Sequence, residues 1–178
     1  MSFLTVDEIS ALIAKVPDFP KKGILFQDIT PLLAHPKGIP SVVECFYQMI
    51  IAKGIKVDVI IGIESRGFLF GVPLSERLGV GFVPIRKSGK LPRAVYFEEY
   101  SLEYGSDRLE IHKDAVKPGD NVVIVDDLLA TGGTALASTS LIEKTGANLQ
   151  AITFLIELVG LSGGDRLSGY ANESLLKY

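Results

Sequence analysis

The run Val122-Val-Ile-Val-Asp-Asp-Leu-Leu-Ala-Thr-Gly-Gly-Thr134 is the most informative segment of this 178-residue chain. Its four β-branched residues predict a buried strand, two acids follow at the strand's carboxyl end, and small residues then lead into a helix. In an open parallel sheet, ligands bind at the edge formed by the carboxyl ends of the strands. We therefore expect Asp126 and Asp127 to lie at a ligand site.

The small-residue loop has the composition of a phosphate cradle. It consists of Ala130, Thr131, Gly132, Gly133 and Thr134. Such side chains let backbone N–H groups converge on an anion, together with the N-terminus of the following helix. Paired carboxylates would repel a phosphate unless they bind another part of the same ligand, and ribose hydroxyls are suitable donors. The segment predicts a ribose 5-phosphate site; the alternative is a strand–turn–helix junction in which Asp only caps and Gly only packs.

Composition places the chain among compact proteins and excludes several classes of partner. The length fits one domain, 1–178, and 47% of residues are hydrophobic. A net charge of −3 argues against binding to nucleic acid or an anionic membrane, which needs a basic face. The single cysteine, Cys45, excludes an intrachain disulfide, and neither a signal peptide nor a long apolar run is present. We expect a cytoplasmic protein.

Apolar strands alternate with helical patterns along the rest of the chain. The predicted strands are residues 57–63, 80–85, 121–125 and 151–158, each buried on both faces. The predicted helices are residues 5–16, 39–53, 67–78 and 134–144. The first helix has a possible capping box formed by Thr5 and Glu8. This alternation predicts an α/β fold with a mainly parallel twisted sheet flanked by helices.

Two segments break this rhythm. Residues 1–36 end in an irregular stretch rich in Pro and Gly, yet apolar, and we expect them to form a small N-terminal hood that packs over the site. Residues 86–120 are polar and contain three tyrosines. Because a long excursion inside a compact domain is usually functional, residues 91–110 are predicted to be a flexible lid loop.

The run at 122–134 resembles the phosphoribosyl-pyrophosphate signature of the type I phosphoribosyltransferases. Three further segments resemble the adenine-specific branch of that family. They are Pro17-Asp-Phe-Pro20 with Gly23-Ile-Leu-Phe-Gln-Asp-Ile29, Glu64-Ser-Arg-Gly-Phe-Leu-Phe-Gly71, and Ser101-Leu-Glu-Tyr-Gly105. The resemblance implies transfer of the 5-phosphoribosyl group from phosphoribosyl pyrophosphate to adenine, giving AMP and pyrophosphate. The alternatives are another acceptor base, such as hypoxanthine, guanine, xanthine or orotate, or a non-catalytic regulator that binds phosphoribosyl pyrophosphate.

The resemblance also implies roles for individual residues. The implied pyrophosphate-binding residues are Glu64, Ser65, Arg66, Arg86, Lys87 and Lys90, with a non-proline cis peptide in the first three. The implied adenine-binding residues are Leu25, Phe26, Gln27, Leu128, Glu103 and Tyr104, the hood contributing mainly through its backbone. Many relatives have Pro where this chain has Lys22, and some have a basic residue at Gln27. The catalytic residues are expected to be Glu103, which takes the proton from adenine N9, and the acid pair Asp126 and Asp127.

A cofactor and a partner follow from the same resemblance. Mg²⁺ is expected to arrive with phosphoribosyl pyrophosphate and to have no direct protein ligand. Asp126 and Asp127 would act on the ribose hydroxyls or on water bound to the metal. Cations of the segment 86–90 can reach a neighbouring subunit's site in this family, which implies a homodimer.

Overall fold

The structure, a computed structural model, describes residues 2–101 and 106–178. In this part of the chain the strands are β1 (Ala14–Pro17), β2 (Leu25–Asp28), β3 (Val59–Ile63), β4 (Gly81–Lys87), β5 (Val95–Ser101), β6 (Ser106–His112), β7 (Asn121–Leu129), β8 (Asn148–Glu157) and β9 (Asn172–Lys177). The α-helices are α1 (Val6–Ala11), α2 (Thr30–Ala34), α3 (Gly38–Ala52), α4 (Gly67–Leu78), α5 (Gly133–Thr145) and α6 (Gly163–Arg166). A 3₁₀ turn covers Val159–Leu161.

Seven strands form one sheet in the order β5-β6-β4-β3-β7-β8-β9. The neighbours from β4 to β9 pair in parallel, and only the β5–β6 and β6–β4 pairs are antiparallel. Helices cover both faces, because Val123 and Val125 pack in the cluster that holds α3 and α4, whereas Val122 and Ile124 pack in the cluster that holds α5. The predicted mainly parallel sheet flanked by helices is confirmed.

The strand that follows β3 is added on one side of it, and the strand that follows β7 is added on the other side, so the strand order reverses between β3 and β7. From β3 the connection through α4 leads to β4 on one side, and from β7 the connection through α5 leads to β8 on the other. Such a switch point opens a crevice at the carboxyl ends of the two strands. The pairing of β3 with β7 runs as far as Gly62 and Val125, whereas β7 continues to Leu129 beside β8. Asp126 and Asp127 therefore lie inside β7, beyond the end predicted at residue 125.

The N-terminal helix is shorter than predicted. Helix α1 ends at Ala11, and Val16 lies in β1, opposite Phe26 of β2. Val16 is kept out of the helix because it precedes Pro17, and residues Ala14–Pro17 pair with β2 instead. The capping box is confirmed: the Thr5 side chain accepts from the Glu8 backbone, and the Glu8 carboxylate accepts from the Thr5 backbone.

Within the segment predicted as the hood, β1 and β2 form an antiparallel hairpin that is separate from the seven-stranded sheet. Helix α1 instead belongs to the body of the domain, because Ile9 is fully buried and Ile13 nearly so in the cluster that holds α3. The hairpin turn contains a cis Phe19–Pro20 bond and an edge-to-face contact between Phe19 and Phe26. The expected hood over residues 1–36 thus has a packed part and a projecting part.

The predicted lid loop is largely a β-hairpin. Strands β5 and β6 pair from Val95 and His112 up to Ser101 and Ser106, and β6 continues the sheet from β4. These two strands lack the continuous apolar run that predicts a buried strand, because edge strands commonly carry charged residues. Glu103 and Tyr104 lie outside the described residues.

Two further predictions need correction at the sheet edges. Strand β4 is buried mainly at Ile85 and is half-buried or exposed elsewhere, because β6 pairs only with its last two residues, Arg86 and Lys87. The C-terminal residues, which carry no motif, add α6 and the parallel edge strand β9. Within the described residues, no helix combines the length and the apolar character that crossing a bilayer requires.

Candidate active site

A cleft of about 270 Å³ lies at the switch point between β3 and β7. It is lined by residues 64–66 after β3, by residues 126–135 of β7 and the turn into α5, and by Lys87, Tyr100 and Leu109. Most of the lining atoms that face the cleft are polar. The two segments that the sequence placed at carboxyl ends of strands thus meet at one site.

The turn from β7 into α5 presents backbone to the cleft. Gly132 is the N-cap of α5 with φ 80°, a left-handed conformation that favours glycine, and no side chain caps the helix. The first N–H groups of a helix have no intrahelical acceptor, and the helix dipole adds positive potential there. All five residues predicted for the cradle, 130–134, line the cleft. The turn has the backbone geometry of an anion site.

Gly163 of α6 supports this turn from behind. A Cβ added at Gly163 would lie 2.2 Å from the Ala130 carbonyl oxygen, and one added at Gly132 would lie 2.8 Å from the Gly163 carbonyl oxygen. The two backbones are therefore in direct contact. The C-terminal segment carries no recognisable motif, so its sequence does not predict this contact.

Asp127 is buried beside Arg66, and Asp126 next to it is half-buried. The Asp127 side chain is 4% exposed, and its Oδ2 lies 3.0 Å from Arg66 Nε. The Asp127 backbone donates to Asp126 Oδ1 at 2.9 Å. Helix α4 approaches closely because Gly67 has no side chain: a Cβ there would lie 2.6 Å from the Val125 carbonyl oxygen.

Burial makes both carboxyl groups harder to ionise. Desolvation raises the pKa of Asp126 well above its usual range, and the neighbouring Asp127 charge raises it further. Desolvation also raises the pKa of Asp127, although the Arg66 guanidinium opposes this rise. Such a pair is suited to a ligand that brings hydroxyl donors or positive charge.

Glu64, in the segment after β3, binds two residues at the end of β4, Arg86 and Lys87. The Glu64–Ser65 peptide is cis, as the resemblance implied. Glu64 accepts from Arg86 Nε at 2.9 Å and Nη2 at 3.3 Å, and from the Lys87 backbone at 2.8 Å. These donors lower the pKa of Glu64, the Arg86 bonds most. The Glu64 carboxylate is thus occupied by Arg86 and Lys87.

The six expected pyrophosphate residues divide between the cleft and its surroundings. Glu64, Ser65, Arg66 and Lys87 line the cleft, whereas Arg86 and Lys90 do not. Arg86 faces Glu64 and lies 5.9 Å from the Phe68 ring. Lys87 lines this chain's own cleft, and its Nζ lies 3.0 Å from Asp107 Oδ2.

The expected base site is only partly assembled. Leu128 lines the cleft, but Leu25, Phe26 and Gln27 of β2 do not. Gln27 is 8% exposed and its Oε1 has no hydrogen-bond partner among the described residues. Within the same residues, no group of three His, Cys, Asp or Glu side chains could hold a metal ion.

Comparisons with known proteins give one consistent result. Residues 28–171 match the phosphoribosyl transferase domain family. A curated adenine phosphoribosyltransferase of Francisella tularensis subsp. tularensis is 57% identical over 175 residues, which cover 98% of this chain and 100% of that protein. The crystal structure of adenine phosphoribosyltransferase from Thermoanaerobacter pseudethanolicus matches with a TM-score of 0.93 at 54% identity, covering 98% of this chain and 100% of that one. The Saccharomyces cerevisiae enzyme, complexed with an imino-altritol bisphosphate and adenine, matches with a TM-score of 0.92 at 43% identity, covering 96% and 98%.

Proposed function

This chain belongs to the phosphoribosyltransferase family, and we propose that its cleft between β3 and β7 is where the 5-phosphoribosyl group passes from phosphoribosyl pyrophosphate to adenine. The protein is a transferase, and its products are AMP and pyrophosphate. The observation that carries the assignment of the cleft is the meeting of the acid pair Asp126 and Asp127 with an uncapped glycine turn.

The phosphoribosyl part of the substrate binds along the end of β7 and the start of α5. Residues 130–134 take the 5′-phosphate through backbone N–H groups, with hydroxyl donors from Thr131 and Thr134. Asp126 and Asp127 accept hydrogen bonds from the ribose hydroxyls. Hydroxyl donors from the sugar stabilise the charged carboxylate of Asp126, whose pKa is raised by desolvation and by the neighbouring Asp127 charge.

Pyrophosphate binds at the opposite end of the cleft. Arg66 and Lys87 supply the charge there, since both line the cleft and both are side chains that reach an anion. Arg66 exchanges its ion pair with Asp127 for the leaving group when the ribose occupies Asp127. Glu64 positions Arg86 and the Lys87 backbone and does not bind the ligand itself, because its carboxylate would repel an anion.

Magnesium fits the donor set of the acid pair. Two adjacent carboxylates offer oxygen acceptors for the water molecules that Mg²⁺ retains when it arrives with phosphoribosyl pyrophosphate. When bound, the ion supplies positive charge that neutralises the departing pyrophosphate. We place it with the substrate and assign it no dedicated protein cage.

The residues of the cleft stabilise the charge that develops during transfer. As the C1′–O bond lengthens, the ribose gains positive charge and the pyrophosphate gains negative charge, which Arg66 and Lys87 stabilise. The acid pair and the phosphate turn hold the sugar so that adenine N9 attacks the opposite face of C1′. Glu103 as the acceptor of the N9 proton, and the closing of the hairpin over the substrates, stay predictions.

Loss of both cleft carboxylates tests the assignment. Asp126→Asn with Asp127→Asn should abolish AMP formation from adenine, Mg²⁺ and phosphoribosyl pyrophosphate while circular dichroism stays unchanged. Asp114→Asn is the matched control, because that exposed carboxylate pairs with Arg93 on the surface. A panel of bases measured by pyrophosphate release checks selectivity. Near-normal turnover by the double variant would defeat the assignment.

A homodimer is the proposed assembly. Leu69 and Val72 on α4 are 39% and 49% exposed and lie about one helical turn apart, so they offer an apolar surface to a second subunit. Light scattering after size exclusion tests this: a dimer supports it, and a monomer at micromolar concentration contradicts it. The cytoplasmic location stays a prediction.

A further inference from the structure

Asp107, a carboxylate on β6, occupies the cation on which the pyrophosphate end of the cleft depends. Its Oδ2 lies 3.0 Å from Lys87 Nζ. Resting on the proposed function, we propose that Asp107 is a positioning residue that holds Lys87 in the cleft and competes with pyrophosphate for it. The carboxylate thereby weakens the binding of pyrophosphate and favours its release.

Asp107 has three polar partners among the described residues: Lys87, Tyr100 and the backbone of Arg108. Besides Lys87, its Oδ2 accepts from the Tyr100 hydroxyl at 3.1 Å, and its Oδ1 accepts from the Arg108 backbone at 2.8 Å. The Arg108 and Lys87 donors hold the pKa of Asp107 below its usual range, so the carboxylate is charged at neutral pH. A fixed negative charge therefore stands beside the proposed pyrophosphate cation.

The position of Asp107 in the hairpin gives the contact its geometry. Asp107 and Tyr100 are partners in the β5–β6 register, and β6 also pairs with β4, which ends at Lys87. Tyr100 itself lines the cleft and interacts with the Thr134 side chain of the phosphate turn. Asp107 thus connects the hairpin stem with Lys87, and through Tyr100 with the opposite end of the cleft.

Because the Lys87–Asp107 ion pair is exposed to solvent, another anion can replace Asp107 as the partner of Lys87. The Lys87 side chain is 55% exposed and that of Asp107 is 23% exposed. An ion pair this exposed changes an equilibrium constant by only about 1.5- to 5-fold. A pyrophosphate, which carries several charges, can displace a partner held so weakly. A buried pair would instead block the ligand.

The direction of the effect separates competition from simple structural support. Asp107→Asn keeps the size of the side chain and removes the charge that holds Lys87; its amide oxygen can still accept from the Arg108 backbone, and its amide nitrogen can donate to the Tyr100 hydroxyl. Calorimetric titration of the full chain with pyrophosphate should then show roughly 1.5- to 5-fold tighter binding. Unchanged or weaker binding would overturn the proposal, because damage to the hairpin can only lose affinity.

A double-mutant cycle tests whether the effect passes through Lys87. Lys87→Ala alone should weaken pyrophosphate binding roughly tenfold or more, as for a hydrogen bond to a charged group. In that background Asp107→Asn should change nothing. A gain that persists without Lys87 would mean a general field effect and would also overturn the proposal. Glu98→Gln is the matched control, since Glu98 is on β5 and pairs with Lys144; its pyrophosphate affinity should stay at the wild-type value.

The same titrations separate this inference from the proposed function. If the wild-type chain fails to bind pyrophosphate, or Lys87→Ala leaves binding unchanged, the assignment of the cleft fails and this inference fails with it. If both behave as expected while Asp107→Asn binds like the wild type, only the role of Asp107 is wrong.

Discussion

The two ends of the cleft are built from different parts of the chain. The end proposed for the 5′-phosphate is formed by main chain: Gly132 adopts φ 80° and its backbone packs on that of Gly163. At the pyrophosphate end the cleft presents side chains, and each cation is already paired, Arg66 with Asp127 and Lys87 with Asp107, at 3.0 Å in both cases.

This difference determines which changes impair ligand binding at each end of the cleft. Backbone donors stay in place without a countercharge, so the phosphate end depends on steric fit and tolerates little added volume. Paired cations must exchange partners when a ligand arrives, so the pyrophosphate end depends on charge balance and on ionic strength. Substitutions that add a methyl group should break the first end, and changes of charge or salt should tune the second.

Gly132→Ala should have the largest effect. The alanine would meet the Gly163 carbonyl and would also adopt a left-handed conformation that costs about 1–2 kcal/mol, which no movement of a neighbour can relieve. Displacing the turn by about 1 Å should lower kcat/KM for phosphoribosyl pyrophosphate roughly 100-fold.

Gly146→Ala is the matched control for this prediction. Gly146 caps the other end of α5 with φ 79°, so it shares the backbone cost but lies away from the cleft. It should lower the melting temperature while kcat/KM stays near wild type. If both variants lose activity equally, helix stability and not the shape of the turn limits the phosphate end.

Gly163→Ala should damage the same end less. The added methyl group would meet the Ala130 carbonyl oxygen at 2.2 Å, but α6 can move away from the turn and relieve part of the clash. We expect a rise of about tenfold in KM for phosphoribosyl pyrophosphate with a smaller change in kcat, as for lost binding of a non-reacting group. Gly169→Ala is the control, because no described atom lies within 4 Å of its added Cβ. Wild-type kinetics for Gly163→Ala would show that α6 does not support the turn.

The phosphate end was predictable from the sequence because its parts are consecutive. An apolar strand, two acids and a glycine-rich turn occupy residues 121–134, and neighbouring residues in a chain stay neighbours in space. Helix α4 was predicted with its observed bounds for the same reason, since Gly67 and Gly79 mark its start and its end.

The supporting contacts could not be predicted because they join distant residues with ordinary side chains. Gly132 and Gly163 are separated in the chain by α5 and β8. Neither the spacing nor the composition of the C-terminal segment indicates that the two glycines are in contact. Asp107 meets Lys87 because β6 pairs with β4 in one register, whereas a polar hairpin offers no apolar alternation from which to derive that register. Contacts between distant parts of the chain, and not local propensity, decide both cases.

Asp126→Asn should stabilise the fold while it lowers activity. The pKa of Asp126 is raised in the folded protein above its ordinary value of 3.8, so its stabilising contribution is complete below that pH and is lost as the pH rises through the raised pKa. At neutral pH the Asn variant should gain about 0.5–2 kcal/mol, as single stabilising substitutions commonly do. Near pH 4 the gain should disappear.

Urea unfolding of both proteins between pH 4 and pH 8 measures this difference. Asp114→Asn should track the wild type throughout, because that carboxylate is on the surface. A variant that is less stable at every pH would mean that the acid pair is held by favourable hydrogen bonds and is not under electrostatic strain.

The smallest expected effect is a difference in salt dependence between the two ends. Lys87→Met removes a partly exposed charge, so it should flatten the decline of phosphoribosyl-pyrophosphate affinity between about 0.05 and 0.5 M KCl, where the screening length shortens several-fold. Thr134→Val removes only a neutral donor at the phosphate end, so it should weaken binding by about 0.5–1.5 kcal/mol without changing that slope. Calorimetric titrations at several salt concentrations compare the two variants. Parallel slopes for both would mean that the pyrophosphate end, like the phosphate end, binds mainly through the backbone, and that Lys87 is not a ligand.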